Sequence, residues 1–321
     1  MSGEWSPTLK ELAKKPELLA SGHRLCAGCA AGTIIRAILK AAWKPIVAVN
    51  ATGCLEVATT IYPYTSWRIP WIHNAFENAA ATAAGIARAR DKLLRDGRLD
   101  KDYHVIAFAG DGGTYDIGIQ ALSGALERRE KILYVLYDNE AYMNTGIQRS
   151  GGTPMAAWTT TSPAGRKIPG KIEWKKPIAR IVAAHDVPYV ATATPWQWRD
   201  LVVKARKALE ADGPAFLHVL SPCPRGWRFD TNLSIEMARL AVQTCFFPLY
   251  EIVDGEKYVI TGYSRSIAMN PKLKKPVVEY LKPQGRFRHL FKPENARLLE
   301  EIQRRVDYEW ERLLKLAGYR S

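Results

Sequence analysis

The sequence predicts an α/β fold, a largely parallel β-sheet flanked by helices, with an extension at the C-terminal end. Three observations lead there. Between about Gly22 and Pro222, short β-branched runs alternate with longer helical patterns, which is how a sheet wrapped by crossover helices is written in sequence. Most of the apolar runs lead within a few residues into Gly, Asn, Asp or Cys, residue types that build sites at strand ends. No repeat, low-complexity tract or Gly/Ser linker divides the chain.

In chain order, residues 1–21 form an N-terminal segment, 22–245 a site-bearing α/β domain and 246–321 the extension. Lys44 to Val49 (KPIVAV) is the first strand candidate, and Asn74 to Leu94 an Ala-rich helix opened by a capping Asn. Tyr103 to Ala109 is a strand, Ile117 to Glu127 a helix and Lys131 to Tyr137 a strand. Ile178 to Ala184 is a helix, Tyr189 to Thr192 a strand, Trp196 to Ala211 an amphipathic helix, and Ala215 to Leu220 (AFLHVL) the closing strand. Gly151 to Lys175, rich in Thr, Pro and Gly, has no period, and a loop of that length in a compact domain is expected to be a functional lid. Beyond Cys245, Asp254 and Gly255 mark a hairpin-like segment. A polar, proline-marked helical tail then runs to Ser321, expected to dock on a neighbouring chain rather than to carry chemistry.

With 321 residues and 47% hydrophobic content, the chain is long enough to bury a real core. No stretch approaches a membrane span and the N-terminus lacks a signal-peptide core, so the expectation is a soluble, cytoplasmic protein with no membrane partner. Forty-six Lys plus Arg against 32 Asp plus Glu give a net charge of +14, a field that attracts phosphorylated ligands or acidic proteins. The basic residues are scattered and carry no nucleic-acid-binding signature, so no nucleic-acid partner is expected. Five cysteines, unevenly spaced, do not make a disulfide scaffold; in a cytosolic chain they point to a metal site.

The most informative local pattern is Gly110-Asp111-Gly112 directly after one strand, with Asn139 just after the next, 27 residues beyond Gly112. Neighbouring parallel strands place their C-terminal ends side by side, so Asp111 and Asn139 are expected to meet. A carboxylate, an amide oxygen and a nearby carbonyl are hard ligands suited to Mg²⁺ with a diphosphate completing its shell, and the glycines let backbone approach the phosphates. A lone G-D-G is also an ordinary turn; the spaced Asn and the flanking strands favour the cofactor site. Asp116 is expected only to complement a helix dipole.

Cys26-Ala27-Gly28-Cys29 presents two thiolates, Cys54 follows in NATGC, and Cys223 lies in SPCPRGW. Cys54 and Cys223 follow strands, and the four could converge on Zn²⁺ or on a [4Fe–4S] cluster, which the spacing does not separate. Cys245, flanked by apolar residues, belongs to the core.

These motifs carry a family resemblance. G-D-G with its spaced Asn is similar to the signature of thiamine-diphosphate enzymes. DNEAYMNTG, HRLCAGC, NATGC, SPCPRGW and CLEVATT through HNAFENAAATAAG resemble the β subunits of the 2-oxoacid:ferredoxin oxidoreductases, the pyruvate type above all. The resemblance covers nearly the whole chain. It implies the thiamine-diphosphate-binding fold and Mg²⁺ held by Asp111, Asn139 and the Ala141 carbonyl. It places Asn144 near the thiazolium as the catalytic positioning group, with Thr145 and Gly146 shaping the turn under the diphosphate. It implies a [4Fe–4S] cluster on Cys26, Cys29, Cys54 and Cys223, and pyruvate oxidised with coenzyme A to acetyl-CoA and CO₂. It also implies partner chains: an α subunit supplying the catalytic glutamate, γ and δ subunits or a fused equivalent, and ferredoxin. Ala30 departs from the glycine of the family pattern. His23 could bond near the cluster, and Arg225 and Arg228 could meet coenzyme A phosphates or stack on Trp227. Glu56, Thr59, Trp67, Trp71 and His73 are expected to pack or to touch other subunits.

Overall fold

The computed structural model describes residues 5–165 and 167–320. Residues 1–4 of the N-terminal segment, Arg166 in the expected lid and Ser321 lie outside the described residues. The strands are β1 (Ile46–Ala51), β2 (Trp71–Asn74), β3 (His104–Ala109), β4 (Leu133–Asp138), β5 (Tyr189–Ala193), β6 (Ala215–Leu220), β7 (Tyr250–Val253) and β8 (Lys257–Ile260). They form one sheet in the order β2-β1-β3-β4-β6-β5-β7-β8, parallel from β2 to β5 and antiparallel where β7 joins β5 and β8 joins β7.

The expected α/β class is therefore the observed one, and the reason is two-sided burial. Along β3, Ile106 and Phe108 face a core shared with the helices Ala30–Ala41 and Trp198–Glu210. Val105 and Ala107 face the opposite core, under the helices Ala79–Arg95, Ile119–Glu127 and Ile178–Ala183. A strand covered on both faces has no polar side to show, which is why these runs are continuously apolar.

Three readings change. Asn74 does not cap a helix; it ends the edge strand β2, and the helix starts five residues later, after Asn78, whose side chain makes no capping bond. β2 itself was hidden because its pattern WIHN is half exposed, without the apolar run that marks the inner strands. The chain after residue 245 opens as part of the same sheet. Asp254 and Gly255, at φ 51° and 74°, make the tight turn between β7 and β8, the left-handed pair that matches strand twist.

The tail docks on its own chain. Ile302, Val306, Trp310, Leu313 and Leu314 recur at helical spacing along Ala296–Leu316 and are buried in a third core with Trp227, Tyr280 and Phe287. No helix among the described residues is long and apolar enough to cross a membrane.

Candidate functional site

β3 and β4 pair in parallel from Ile106 with Leu133 to Ala109 with Leu136, so the residues that follow them leave the sheet together. Asp111, 1% exposed, receives the Glu140 N–H on Oδ1 at 3.2 Å and the Ser150 hydroxyl on Oδ2 at 2.6 Å. The amide end of Asn139 lies 3.2 Å from Asp111 Oδ1 and 2.8 Å from the Ala141 carbonyl oxygen. With its NH₂ on this side, the amide donates to both. Burial, and next the charge of Asp138, pushes the Asp111 carboxyl well above the usual range. The Asp111 carboxylate, the Asn139 amide and the Ala141 carbonyl, gathered this closely, form a donor set that fits a hard divalent ion once the amide oxygen turns inward, since octahedral ligands at about 2.05 Å stand about 2.9 Å apart.

One pocket joins this set to the cysteines. Its walls include Gly53 and Cys54, Gly110 to Gly112, Tyr137, and Ala141 to Thr145. Asn144 and Cys54 both line it, so Asn144 stands at the junction of the two motifs. Thr145 donates to Gln148 Oε1 at 2.5 Å and Gly146 takes φ 118°, closing the turn expected there.

Cys26, Cys29, Cys54 and Cys223 lie within electrostatic reach of one another, and none is in a disulfide. Burial first, and then the neighbouring cysteines, push Cys29 to about 11 and Cys54 to about 12. Gly28, at φ 72°, has no room for a side chain: a Cβ would lie 2.1 Å from the Thr231 carbonyl oxygen. Ser234 donates to the Gly28 carbonyl, seating the loop against the segment that follows Cys223. Among the described residues, no group of three or more His, Cys, Asp or Glu side chains is placed to hold a metal ion. Cys245 is buried in the core as expected.

Behind Asp111 lies a buried network that the sequence did not reveal. Asp138 Oδ2 receives Tyr115 at 2.7 Å and faces His218 Nε2 at 2.6 Å and Lys175 Nζ at 2.5 Å. Burial works against Asp138's charge, but Lys175 and His218 hold it below the usual carboxylate range. Burial likewise opposes the Lys175 charge, which Asp138 and Glu140 hold above the ordinary lysine value. Glu140 meets Lys175 at 3.0 Å and Arg286 at 2.5 Å. Arg286 lies 4.1 Å over Trp227, whose indole donates to the Asn139 carbonyl at 2.7 Å. Two acids against two cations leave this layer neutral. Its partners stand 35 to 146 residues from Glu140, too far for any local pattern to show. The tail that was expected to carry no chemistry thus brings Arg286 to the back of the site.

Other expectations shift. Asp116 stands three residues before the helix Ile119–Glu127, and its carboxylate also receives the Gly151 N–H at 3.0 Å and Lys176 at 2.9 Å, fastening the following loop. That loop is packed in its first half: Ser150, Thr153, Ala156 and Ala157 are fully buried. Arg228 stacks 3.6 Å over Trp158, not on Trp227, and Arg225 is exposed. His23 packs near Gly32 with its Nδ1 unpartnered. Trp67 donates to Thr59 at 2.8 Å, and His73 bonds Thr52 at 2.8 Å beside Glu56.

Residues 51–219 match the family model described as thiamine pyrophosphate enzyme, C-terminal TPP binding domain. The pyruvate synthase subunit PorB of Thermotoga maritima is 51% identical over 314 residues, 96% of this chain and 94% of its own. The PorB subunit of Methanocaldococcus jannaschii is 54% identical, covering 91% and 95%. The ketoisovalerate oxidoreductase subunit VorB of Pyrococcus furiosus is 44% identical, covering 92% of each. Among solved structures, the 2-oxoglutarate:ferredoxin oxidoreductase of Magnetococcus marinus, with 2-oxoglutarate, coenzyme A and succinyl-CoA bound, shares the fold. It has TM-score 0.52 and 21% identity over 70% of this chain and 78% of that one. The strand-end site lies inside the matched domain, and relatedness extends over nearly the whole length: the chain belongs to the PorB subunit family of pyruvate synthases, within the thiamine pyrophosphate enzymes.

Proposed function

We propose that this chain holds thiamine diphosphate, Mg²⁺ and a [4Fe–4S] cluster in an enzyme that oxidatively decarboxylates pyruvate with coenzyme A and passes the electrons to ferredoxin. The observation that carries the reading is the pocket lined both by Cys54 and Asn144 and by Asp111, Asn139 and Ala141. When bound, thiamine diphosphate supplies the nucleophilic carbon that adds to the 2-oxoacid and releases CO₂, and the cluster supplies a one-electron acceptor beside it.

The residues of the chain divide the remaining work. Asp111, the Asn139 amide oxygen and the Ala141 carbonyl hold Mg²⁺, while Gly110 and Gly112 leave bare backbone for the diphosphate. The neutral layer of Asp138, Lys175, Glu140 and Arg286 leaves the charge of Asp111 free to act on the cation. Asn144 orients the oxoacid toward the cluster side, and Thr145 and Gly146 shape the diphosphate turn. The packed loop behind Asp111 excludes water from the back of the site. Cys26, Cys29, Cys54 and Cys223 each bind one iron. Zinc would draw four sulfurs to about 3.8 Å from one another, from Zn–S bonds of about 2.3 Å. A cubane, in which each thiolate has its own iron, holds its four sulfurs farther apart, and the metal content of the purified protein separates the two.

As the family resemblance implies, the glutamate that activates the aminopyrimidine comes from an α subunit, with γ and δ subunits or a fused equivalent completing a cytoplasmic complex. The assembled enzyme tests the reading: pyruvate and coenzyme A should reduce ferredoxin faster than 2-oxoisovalerate, 2-oxoglutarate or oxalate do. The 44% identity to VorB makes 2-oxoisovalerate the competing substrate, and preference for it would replace pyruvate in the proposal.

A further inference from the structure

Tyr137, the residue before Asp138 on β4, is 1% exposed and its hydroxyl has no hydrogen-bond partner. Its neighbours in the sheet region are different: Tyr115 donates to Asp138 at 2.7 Å and Tyr134 to the Gly113 carbonyl at 2.6 Å. A buried donor left unpaired is costly and calls for a physical reason.

The position of the hydroxyl supplies one. A Cβ at Gly53 would lie 2.8 Å from the Tyr137 oxygen, and one at Gly110 would lie 3.4 Å from it. The phenol therefore rests on bare backbone of both motifs at once, NATGC and G-D-G, and glycine precedes Cys54 because anything larger would strike the hydroxyl. Tyr137 also lines the pocket that Cys54 and Asp111 share. Of these two possible acceptors, Asp111 already has a donor on each oxygen, Glu140 N–H and Ser150. The buried cysteines differ too. The Gly226 amide already donates to the Cys223 sulfur at 3.3 Å, whereas Cys54 shares its pocket with Tyr137.

We propose that the Tyr137 hydroxyl donates a hydrogen bond to the Cys54 sulfur when that sulfur is a cluster ligand, and thereby raises the reduction potential of the cluster. The inference rests on the reading of Cys54 as a ligand given above. A donor aimed at a ligand sulfur favours the more negative, reduced cluster, so it shifts the potential upward. Tyr137 is a positioning residue in this account, acting on the cluster and not on pyruvate.

The test uses the complex purified anaerobically with its partner chains, as wild type, Tyr137→Phe and a control, Tyr134→Phe. Midpoint potentials come from redox titration followed by EPR, and pulsed EPR in H₂O and D₂O reads exchangeable protons near the reduced cluster. Tyr137→Phe should retain iron, show a lower potential and lose one exchangeable-proton coupling, while Tyr134→Phe changes neither. Site-specific 3-fluorotyrosine at 137, a stronger donor of nearly the same shape, should move the potential upward and keeps the test available if Phe is poorly tolerated. An unchanged potential and an unchanged proton coupling in Tyr137→Phe overturn the inference while leaving the cluster assignment in place. A wild-type complex whose cysteine site holds no iron overturns the assignment itself.

Discussion

Replacing Arg286 with Met should loosen the whole back of the site, because this one side chain ties the C-terminal tail to the residue after Asn139. Arg286 and Glu140 are 2% and 0% exposed and meet at 2.5 Å. Removing one partner of a buried pair costs about 3–5 kcal/mol. The guanidinium also lies 4.1 Å over Trp227, a contact contributing about 1–2 kcal/mol when desolvated. Against this, Lys175 still faces Glu140 at 3.0 Å, and Met fills most of the vacated volume. The net expectation is a loss of about 3–5 kcal/mol. Urea unfolding measures it, with a lower midpoint at unchanged slope. Glu140→Gln completes a double-mutant cycle, and the coupling should reach about 2 kcal/mol. A variant within about 0.5 kcal/mol of wild type, or an additive cycle, would refute the claim that the tail is anchored through this pair.

Asp111→Asn keeps the shape and removes the charge, so Mg²⁺-dependent thiamine diphosphate binding, read by calorimetry, should weaken roughly 10- to 150-fold, the equivalent of 1.5–3 kcal/mol, with iron content unchanged. Cys223→Ser should do the reverse, lowering iron content while thiamine diphosphate still binds. Gly28→Ala places a Cβ 2.1 Å from the Thr231 carbonyl at φ 72° and should destabilise the chain by about 1–3 kcal/mol in denaturant unfolding. Burial, then the charge of Lys44, lowers His104 from 6.5 to about 4. The unfolded chain therefore takes up this proton first, and stability falls as pH drops from about 6.5 toward 4. His104→Phe, which retains the edge contact with Trp43, should flatten that part of the pH–stability curve.

The inner strands were legible because burial on both faces leaves a continuous apolar run, as in AFLHVL, where expectation and strand coincide at Ala215 and Leu220. Asp111 and Asn139 were legible for a related reason: adjacent parallel strands turn a sequence spacing into a spatial meeting. β2 was missed because its exposed edge residues carry no such run, and Asn74 was misplaced as a cap because Asn is common in both settings. The layer of Asp138, Glu140, Lys175, His218 and Arg286 was invisible, since Lys175 and His218 lie far along the chain from the acids they meet and Arg286 reaches Glu140 only when the tail folds back. Asp116 had a local explanation at hand, and only the folded loop shows it fastening Gly151 and Lys176.

The central claim is that one chain brings a thiamine diphosphate site and a four-cysteine cluster site together. The direct measurement is iron, zinc and thiamine diphosphate content of the anaerobically purified complex and of a Cys54→Ser variant, with EPR after adding pyruvate. The account predicts that the variant loses about four irons per chain, the content of one cubane, keeps its thiamine diphosphate and loses the pyruvate-induced signal. Zinc in place of iron, or iron content unaffected by removing Cys54, would contradict it.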